Sequence, residues 1–315
     1  MLLLIKQGGI SGLLFRKINT LAVLAVMFLL YNASLLSAGE IVAVKSSGIK
    51  PYNDALDGFK RTCRCTVREL NLPETGQNNI QKKILEIGPD AVLAIGMDAL
   101  NSVGKIDNLP IFYTMLTELM PEFAEKRKKY SGTSMDILPE TYLSYMARLF
   151  PKAKRVGIIY SKRNTGQFVN EALAISNSIG FEIIVREVSA PARVPAVIES
   201  MKGKIDIFWM LPDTEVLTPE TVDSILLFSF QNNVPVFSFS NKYVKMGALA
   251  SLSVDPVALG VQTGALVAKK ADKGVVENHV NIRPQKVLLY VNRRIAAKFG
   301  LPLGDEIVRQ ADEVY

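Results

Sequence analysis

The 315-residue sequence predicts an α/β protein made of two similar lobes, each a parallel sheet with helices on both faces. Three observations carry that reading. From Gly39 onward, short apolar runs alternate with helical segments joined by a few residues. The runs are apolar throughout rather than every second residue, as strands covered on both faces are. The alternation pauses around Tyr130–Asp136 (YSGTSMD) and then starts again.

In the first half, Ile41–Val44 is a strand that ends in Ser46-Ser47-Gly48, followed by a helix over 52–62 with Ala55, Leu56 and Phe59 on its apolar face. Thr66–Leu70 is a second strand. A helix over 79–87 leads through Gly88-Pro89 into the strand Ala91–Ile95, which ends at Gly96-Met97-Asp98. A short helix then gives the strand Leu109–Tyr113, ending at Thr114-Met115.

The second half repeats the scheme. Pro139–Leu149 is a helix with proline near its start and Pro151 just past its end. Arg155–Tyr160 is a strand, and the helix 166–179 stops at Gly180, a glycine C-cap. Phe181–Glu187 is a strand and Val194–Met201 a helix. Next comes the most informative stretch, KIDIFWMLPDTEVLTPE at 204–220: a buried strand over Ile205–Leu211, a polar turn, then a helix opened by Thr218-Pro219-Glu220. A helix over 221–231 leads to the strand Val234–Phe239, which carries Ser238, Ser240 and Asn241 at its end. Trp209, inside the strand, is expected to be core.

The last quarter is less regular. Ala248–Val254 is a strand and Asp255-Pro256 starts a helix to about Lys273, with Asp255 as its N-cap. Gly260 and Gly264, four apart, let this helix approach a neighbour closely. Val287–Val291 is a strand, 294–299 a helix, and the tail from Pro302 is polar. If the long helix returns to the first lobe, the lobes comprise 39–133 plus about 256–283, and 134–255 plus about 284–315. Several strands then join them as a hinge.

Ahead of this lies an export signal. Lys6, Arg16 and Lys17 precede the apolar run Leu21–Leu30, and small residues follow at Ser34, Ser37 and Ala38. Residues 1–38 therefore read as a signal peptide, or as an N-terminal anchor if uncleaved, and the protein as periplasmic or otherwise extracytoplasmic. Removing those three cations, with no acid among the first 38 residues, lowers the net charge from +7 to +4. That is mildly basic and implies no nucleic acid. The run Lys126–Lys129 after Glu122 and Glu125 reads as the solvated end of a helix.

Cys63 and Cys65, the only two cysteines, cannot make a four-ligand zinc site, and His279 is the only histidine, in a polar segment. Were the chain extended there, the two Cα atoms would be roughly 6.5 Å apart. That spacing favours two partly buried thiols over a strained bridge. No metal or cofactor is expected. There is no G-x-x-x-x-G-K-[ST] loop, no G-x-G-x-x-G fingerprint after the first strand and no G-x-S-x-G elbow. Asp98 and Asp213 alone, as paired carboxylates, are a weak basis for glycosidase-type chemistry. The sequence reads as a binder rather than an enzyme.

In open α/β sheets, ligands bind beyond the carboxyl ends of the strands. That rule nominates Ser46, Ser47, Met97, Asp98, Thr114 and Met115 from the first lobe. From the second it nominates Asn164, Thr165, Asp213 and Thr214, with Ser240 and Asn241 near the hinge. The set suits a zwitterion: hydroxyls and N–H groups at helix starts for a carboxylate, Asp213 or Asp98 for an ammonium. Tyr52 could stack on the ligand or pack in the core.

The runs PKAKRVGIIYSKRNTG (151–166), IDIFWMLPDTEV (205–216), VPVFSFSNKYVKMGALASLSVDPVALGVQTG (234–264) and LLYVNRRIAAKFGL (288–301) resemble the ABC-transporter substrate-binding family that includes tryptophan and tyrosine binders. The resemblance spans roughly Glu40 to Leu303. It is most specific in the G-A-L-A-S…D-P…L-G…Q-T-G run at 247–264. It implies a type I periplasmic binding protein fold: two Rossmann-like lobes on a multi-strand hinge, closing on a small ligand, with an ABC permease in the inner membrane as partner and a monomer as the working form. A sensory module reporting ligand occupancy to a membrane signalling protein is the alternative. Two departures stand out. No cysteine follows the signal, where many relatives carry a lipid-attachment site. The loop that commonly ends in a V-T-D-P-like run reads Tyr113-Thr114-Met115-Leu116-Thr117, which suits a less polar ligand.

Overall fold

The computed structural model describes residues 39–107, 109–117, 123, 129–273, 279–301 and 303–315. The signal segment 1–38 and Lys126–Lys128 lie outside the described residues. Among those described, no helix is long and apolar enough to cross a membrane.

In chain order, the first part comprises β1 (Glu40–Lys45), α1 (Lys50–Lys60), β2 (Thr66–Asn71), α2 (Leu72–Thr75), α3 (Gln77–Ile87), β3 (Ala91–Ile95), α4 (Met97–Val103), β4 (Ile111–Leu116) and β5 (Ser131–Ser134). The second part comprises α5 (Pro139–Leu149), β6 (Arg155–Tyr160), α6 (Gly166–Ile179), β7 (Glu182–Glu187), α7 (Val194–Glu199), β8 (Ile207–Trp209), α8 (Pro219–Asn232), β9 (Val236–Ser238), α9 (Asn241–Met246) and β10 (Ala250–Val254). Then follow α10 (Pro256–Lys273), β11 (Asn281–Ile282), β12 (Val287–Val291), α11 (Arg293–Lys298), α12 (Asp305–Gln310) and β13 (Glu313–Val314).

The strands form two sheets. One, in the order β11-β5-β4-β3-β1-β2, is parallel throughout. The other, β13-β12-β10-β9-β8-β6-β7, is parallel except where β12 runs antiparallel to β10. The central strands are apolar runs because helices cover both faces: every residue from Ile41 to Lys45 and from Ala91 to Ile95 is buried. Each sheet accordingly has a separate apolar layer on either side.

Although α10 follows β10 of the second sheet, it packs on α1 of the first. The contact is backbone to backbone and depends on glycine. A Cβ at Gly260 would lie 1.8 Å from the Ala55 carbonyl oxygen, and one at Gly58 would lie 2.1 Å from that of Val257. Among the described residues the chain thus passes between the sheets three times: at 135–138, at Asp255 and at 283–286. The last two passages are tied together. Lys286 pairs with Asp255 at 2.8 Å, Gln262 Nε2 donates to the Arg283 carbonyl, and the Gln285 N–H donates to Gln262 Oε1.

Several local features differ from the sequence reading. Cys63 and Cys65 form a disulfide with Cα atoms 5.3 Å apart, which corrects the expectation of two thiols. Arg64 adopts φ 53°, and β2 starts only at Thr66, so the spacing of an extended chain does not apply. The polar tail folds into α12 and β13, the latter pairing with β12. The Thr218 cap appears as expected, reinforced by a reciprocal bond between Thr221 Oγ1 and the Thr218 N–H.

Candidate functional site

A cavity of about 630 Å³ lies between the two sheets, beside the three passages. The two sides that line it differ in chemistry. The second sheet and its helices supply an aromatic and aliphatic bed, Tyr142 from α5, Phe168 from α6, Trp209 and Leu211 at the end of β8 and Leu252 from β10, with Ser240, Asn241 and Ser253 as polar neighbours. These rings interlock, with Trp209 5.2 Å from Tyr142 and 5.4 Å from Phe168 between centroids. The first sheet, its helix α1 and the passage after β5 supply Lys50, Asp54, Met115, Thr117, Met135 and Asp136. Met115 reaches the cavity because the β4–β5 register shifts between Thr114 and Leu116, leaving it at φ 59°.

The polar groups of the lining are held in place by neighbours. Thr117 donates to Asp136 at 2.6 Å, and Lys50 pairs with Asp54 at 2.6 Å. Asp255 accepts from the Val257 and Ala258 N–H groups and from Lys286. Burial would raise its pKa, but these bonds, led by that from Lys286, outweigh burial and hold it below the usual carboxylate range. Burial, and then the Asp136 charge, push the Tyr142 phenol well above its ordinary pKa, so it stays neutral.

Of the residues nominated by the sequence, Met115, Ser240 and Asn241 line this cavity. Ser240 also caps α9. The others stand at the strand ends as expected, in two groups that do not line it. In the first lobe, Ser46 Oγ accepts from the Ala99 N–H at 2.9 Å. Ser47 and Met97 are half-buried and Asp98 is exposed. Thr114 is fully buried, and its Oγ1 has no hydrogen-bond partner among the described residues. Tyr52 stands near Asp98; burial first, and then that carboxylate, raise its pKa.

In the second lobe, Asp213 corrects an expectation. It is only 1% exposed and accepts five hydrogen bonds, from the Ser161 N–H and Oγ, Asn164 Nδ2, Thr165 Oγ1 and the Glu215 N–H. With its lone pairs taken by its own lobe, it staples the β6–α6 loop to the turn after β8 and is not placed to receive an ammonium. Thr165, fully buried against Asp213, shares that role. Asn164 Nδ2 also donates to the exposed Thr214. Asp255 caps α10, as its place before Pro256 implies, while also facing the cavity.

A family model for ABC transporter substrate binding proteins matches residues 73–315. The chain belongs to this family. The tyrosine-binding protein of Clostridioides difficile (strain R20291) is a relative, 24% identical over 236 residues. The match covers 72% of this chain and 66% of that protein, just under two thirds of its length. Among solved structures, a ligand-free, open substrate-binding protein with adhesive properties from Clostridium difficile aligns with TM-score 0.73 and 20% identity, over 88% of this chain and 99% of its own. An ABC domain from Streptococcus pneumonia in complex with L-Trp aligns with TM-score 0.60 and 19% identity, over 89% and 100%. This member of the substrate-binding family therefore has the two-lobed type I periplasmic binding fold.

Sequence reasoning missed the aromatic wall. Tyr142, Phe168 and Trp209 sit at positions whose pattern is that of core, and they are indeed buried. A pocket cut into a core draws on the same residue types as the core itself. The one available signal was the apolar pair Met115-Leu116 at the end of β4.

Proposed function

We propose that the chain is the extracytoplasmic solute-binding component of an ABC importer, taking an aromatic or apolar amino acid into the interlobe cavity and passing it unaltered to a membrane permease. The observation that carries this reading is the cavity's mixed lining, rings and aliphatics together with carboxylates, hydroxyls and an amide. Such a site buries an apolar side chain and leaves polar partners for an amino-acid head. Asp136 and Asp54 offer acceptors for an ammonium, while Asn241 and Ser240 offer donors for a carboxylate. The names of the relatives, a tyrosine-binding protein and a domain in complex with L-Trp, support the same class.

Closure draws the lobes, 39–133 plus 256–283 and 134–255 plus 284–315, onto the ligand. Ser46, Ser47, Met97 and Asp98 then face Asn164 and Thr214 across the shut cleft. A ligand that touches both lobes shifts the population towards the closed form. The protein works as a monomer delivered outside the cytoplasm by residues 1–38. Calorimetry with the twenty amino acids, with mass spectrometry of whatever co-purifies, tests the proposal. Binding of an aromatic amino acid supports it; binding of a sugar or nucleoside and no amino acid refutes it.

A further inference from the structure

A second cavity, of about 340 Å³, opens at the opposite end of the first sheet. Its lining includes Ile111 and Ser131, the first residues of β4 and β5, so it lies at the amino ends of these parallel strands. The interlobe cavity is reached instead by Met115, near the carboxyl end of β4. Helix α10 spans the two. Val257 in its first turn lines the interlobe cavity, and Lys270 in its last turn lines the second, roughly 20 Å further along the helix.

The second cavity combines an apolar floor with basic groups. Phe112 and Tyr130 are buried rings of the lining. With them stand Lys129, Lys270 and His279, brought from three separate segments, against one acid, Asp107. Each lysine lies over a ring: Lys129 Nζ is 5.6 Å from the Tyr130 centroid and Lys270 Nζ 5.7 Å from that of Phe112. Ser131 Oγ accepts from Lys270 Nζ at 2.8 Å and from the Val280 N–H at 3.1 Å, which fixes the ammonium at this place. Burial lowers the Lys270 pKa, so a positive charge is held where solvation is reduced, and an anion beside it would offset that loss.

We propose that this cavity is a second binding site, for a small organic anion whose charged head meets Lys270, Lys129 and His279 and whose apolar body rests on Phe112 and Tyr130. A bare inorganic anion leaves the floor unfilled, and a cationic ring meets like charge. The proposal is independent of what the interlobe cavity takes: failure of every amino acid to bind there leaves it standing.

His279 is the only histidine of the chain, so in full-length protein purified without a histidine tag its imidazole C2 proton reports on this cavity alone. The test is its proton resonance, followed at constant pH and ionic strength during titration with phenyl phosphate, inorganic phosphate and benzylamine. Phenyl phosphate should move it saturably. Inorganic phosphate should act about tenfold or more weakly, for want of a ring to bury, and benzylamine not at all. Lys270→Met should weaken phenyl phosphate about tenfold or more, as expected for loss of a charged partner. A resonance that ignores phenyl phosphate, answers both phosphates alike, answers benzylamine, or saturates equally in wild type and Lys270→Met overturns the inference. Should the variant not fold, the three probes on wild type still decide.

Discussion

The two walls of the cavity do different work. The wall from the second lobe is made of interlocked rings anchored in a core layer. The wall from the first lobe and the passage after β5 mixes Met115 and Met135 with polar groups held by local contacts, among them Lys50 to Asp54 and Thr117 to Asp136. A ring bed of this kind cannot be altered without disturbing the fold beneath it, whereas the polar wall can change with little structural cost. On the proposed reading, shape selection belongs to the ring bed, while the ligand's head group meets polar groups of both lobes, Asp54 from the first and Ser240 and Asn241 from the second.

The comparison can be broken most severely at the ring bed. Phe168→Ala should cost about 3–5 kcal/mol of stability and abolish tight binding together, seen in urea unfolding and calorimetry. Loss of affinity with unchanged stability would show that the wall is not continuous with the core. On the other side, Gly260→Ala presses a methyl into the Ala55 carbonyl. It should cost about 1–3 kcal/mol through the first lobe, with little direct effect on the rings.

Asp213→Ala separates stability from binding. It leaves buried Ser161 and Thr165 groups unpaired and should cost about 1–3 kcal/mol, while ligand affinity at saturating folded fraction stays unchanged. A matching loss of affinity would return Asp213 to the ligand's partners.

The smallest effect is expected at the hinge, where Lys286→Met should cost at most about 1 kcal/mol because the lysine is exposed. Its pH dependence has a definite sign. Asp255 has a lowered folded-state pKa, so its contribution is present above the unfolded value, near 3.9, and fades as pH falls through the folded one. Acid titration of wild type and Lys286→Met by circular dichroism should therefore converge only after pH has fallen through the lowered folded-state value of Asp255. A gap that persists there would mean that Lys286 acts through packing.

The fold was legible because parallel strands buried on both faces leave an unmistakable record, runs such as Ile41–Val44 and Ala91–Ile95 between helical segments. The close approach of α10 was legible in Gly260 and Gly264. What escaped depended on long-range or single-residue geometry. Asp213 stood where a ligand partner should, but its role is decided by Ser161 and Thr165, some fifty positions earlier. The Cys63–Cys65 bridge turned on one positive φ at Arg64, and the reach of Met115 on one irregularity of register. Trp209 was read as core, which it is; that it also bounds a cavity is invisible to periodicity.

The reversed strand β12 has one further consequence. Val254 and Val287 are ladder partners, so the chain leaves the second sheet and re-enters it through adjacent, hydrogen-bonded positions. For the closing motion proposed above, this paired exit and entry, with the third passage at 135–138, puts the hinge on one side of the cavity and the way in for a guest on the other.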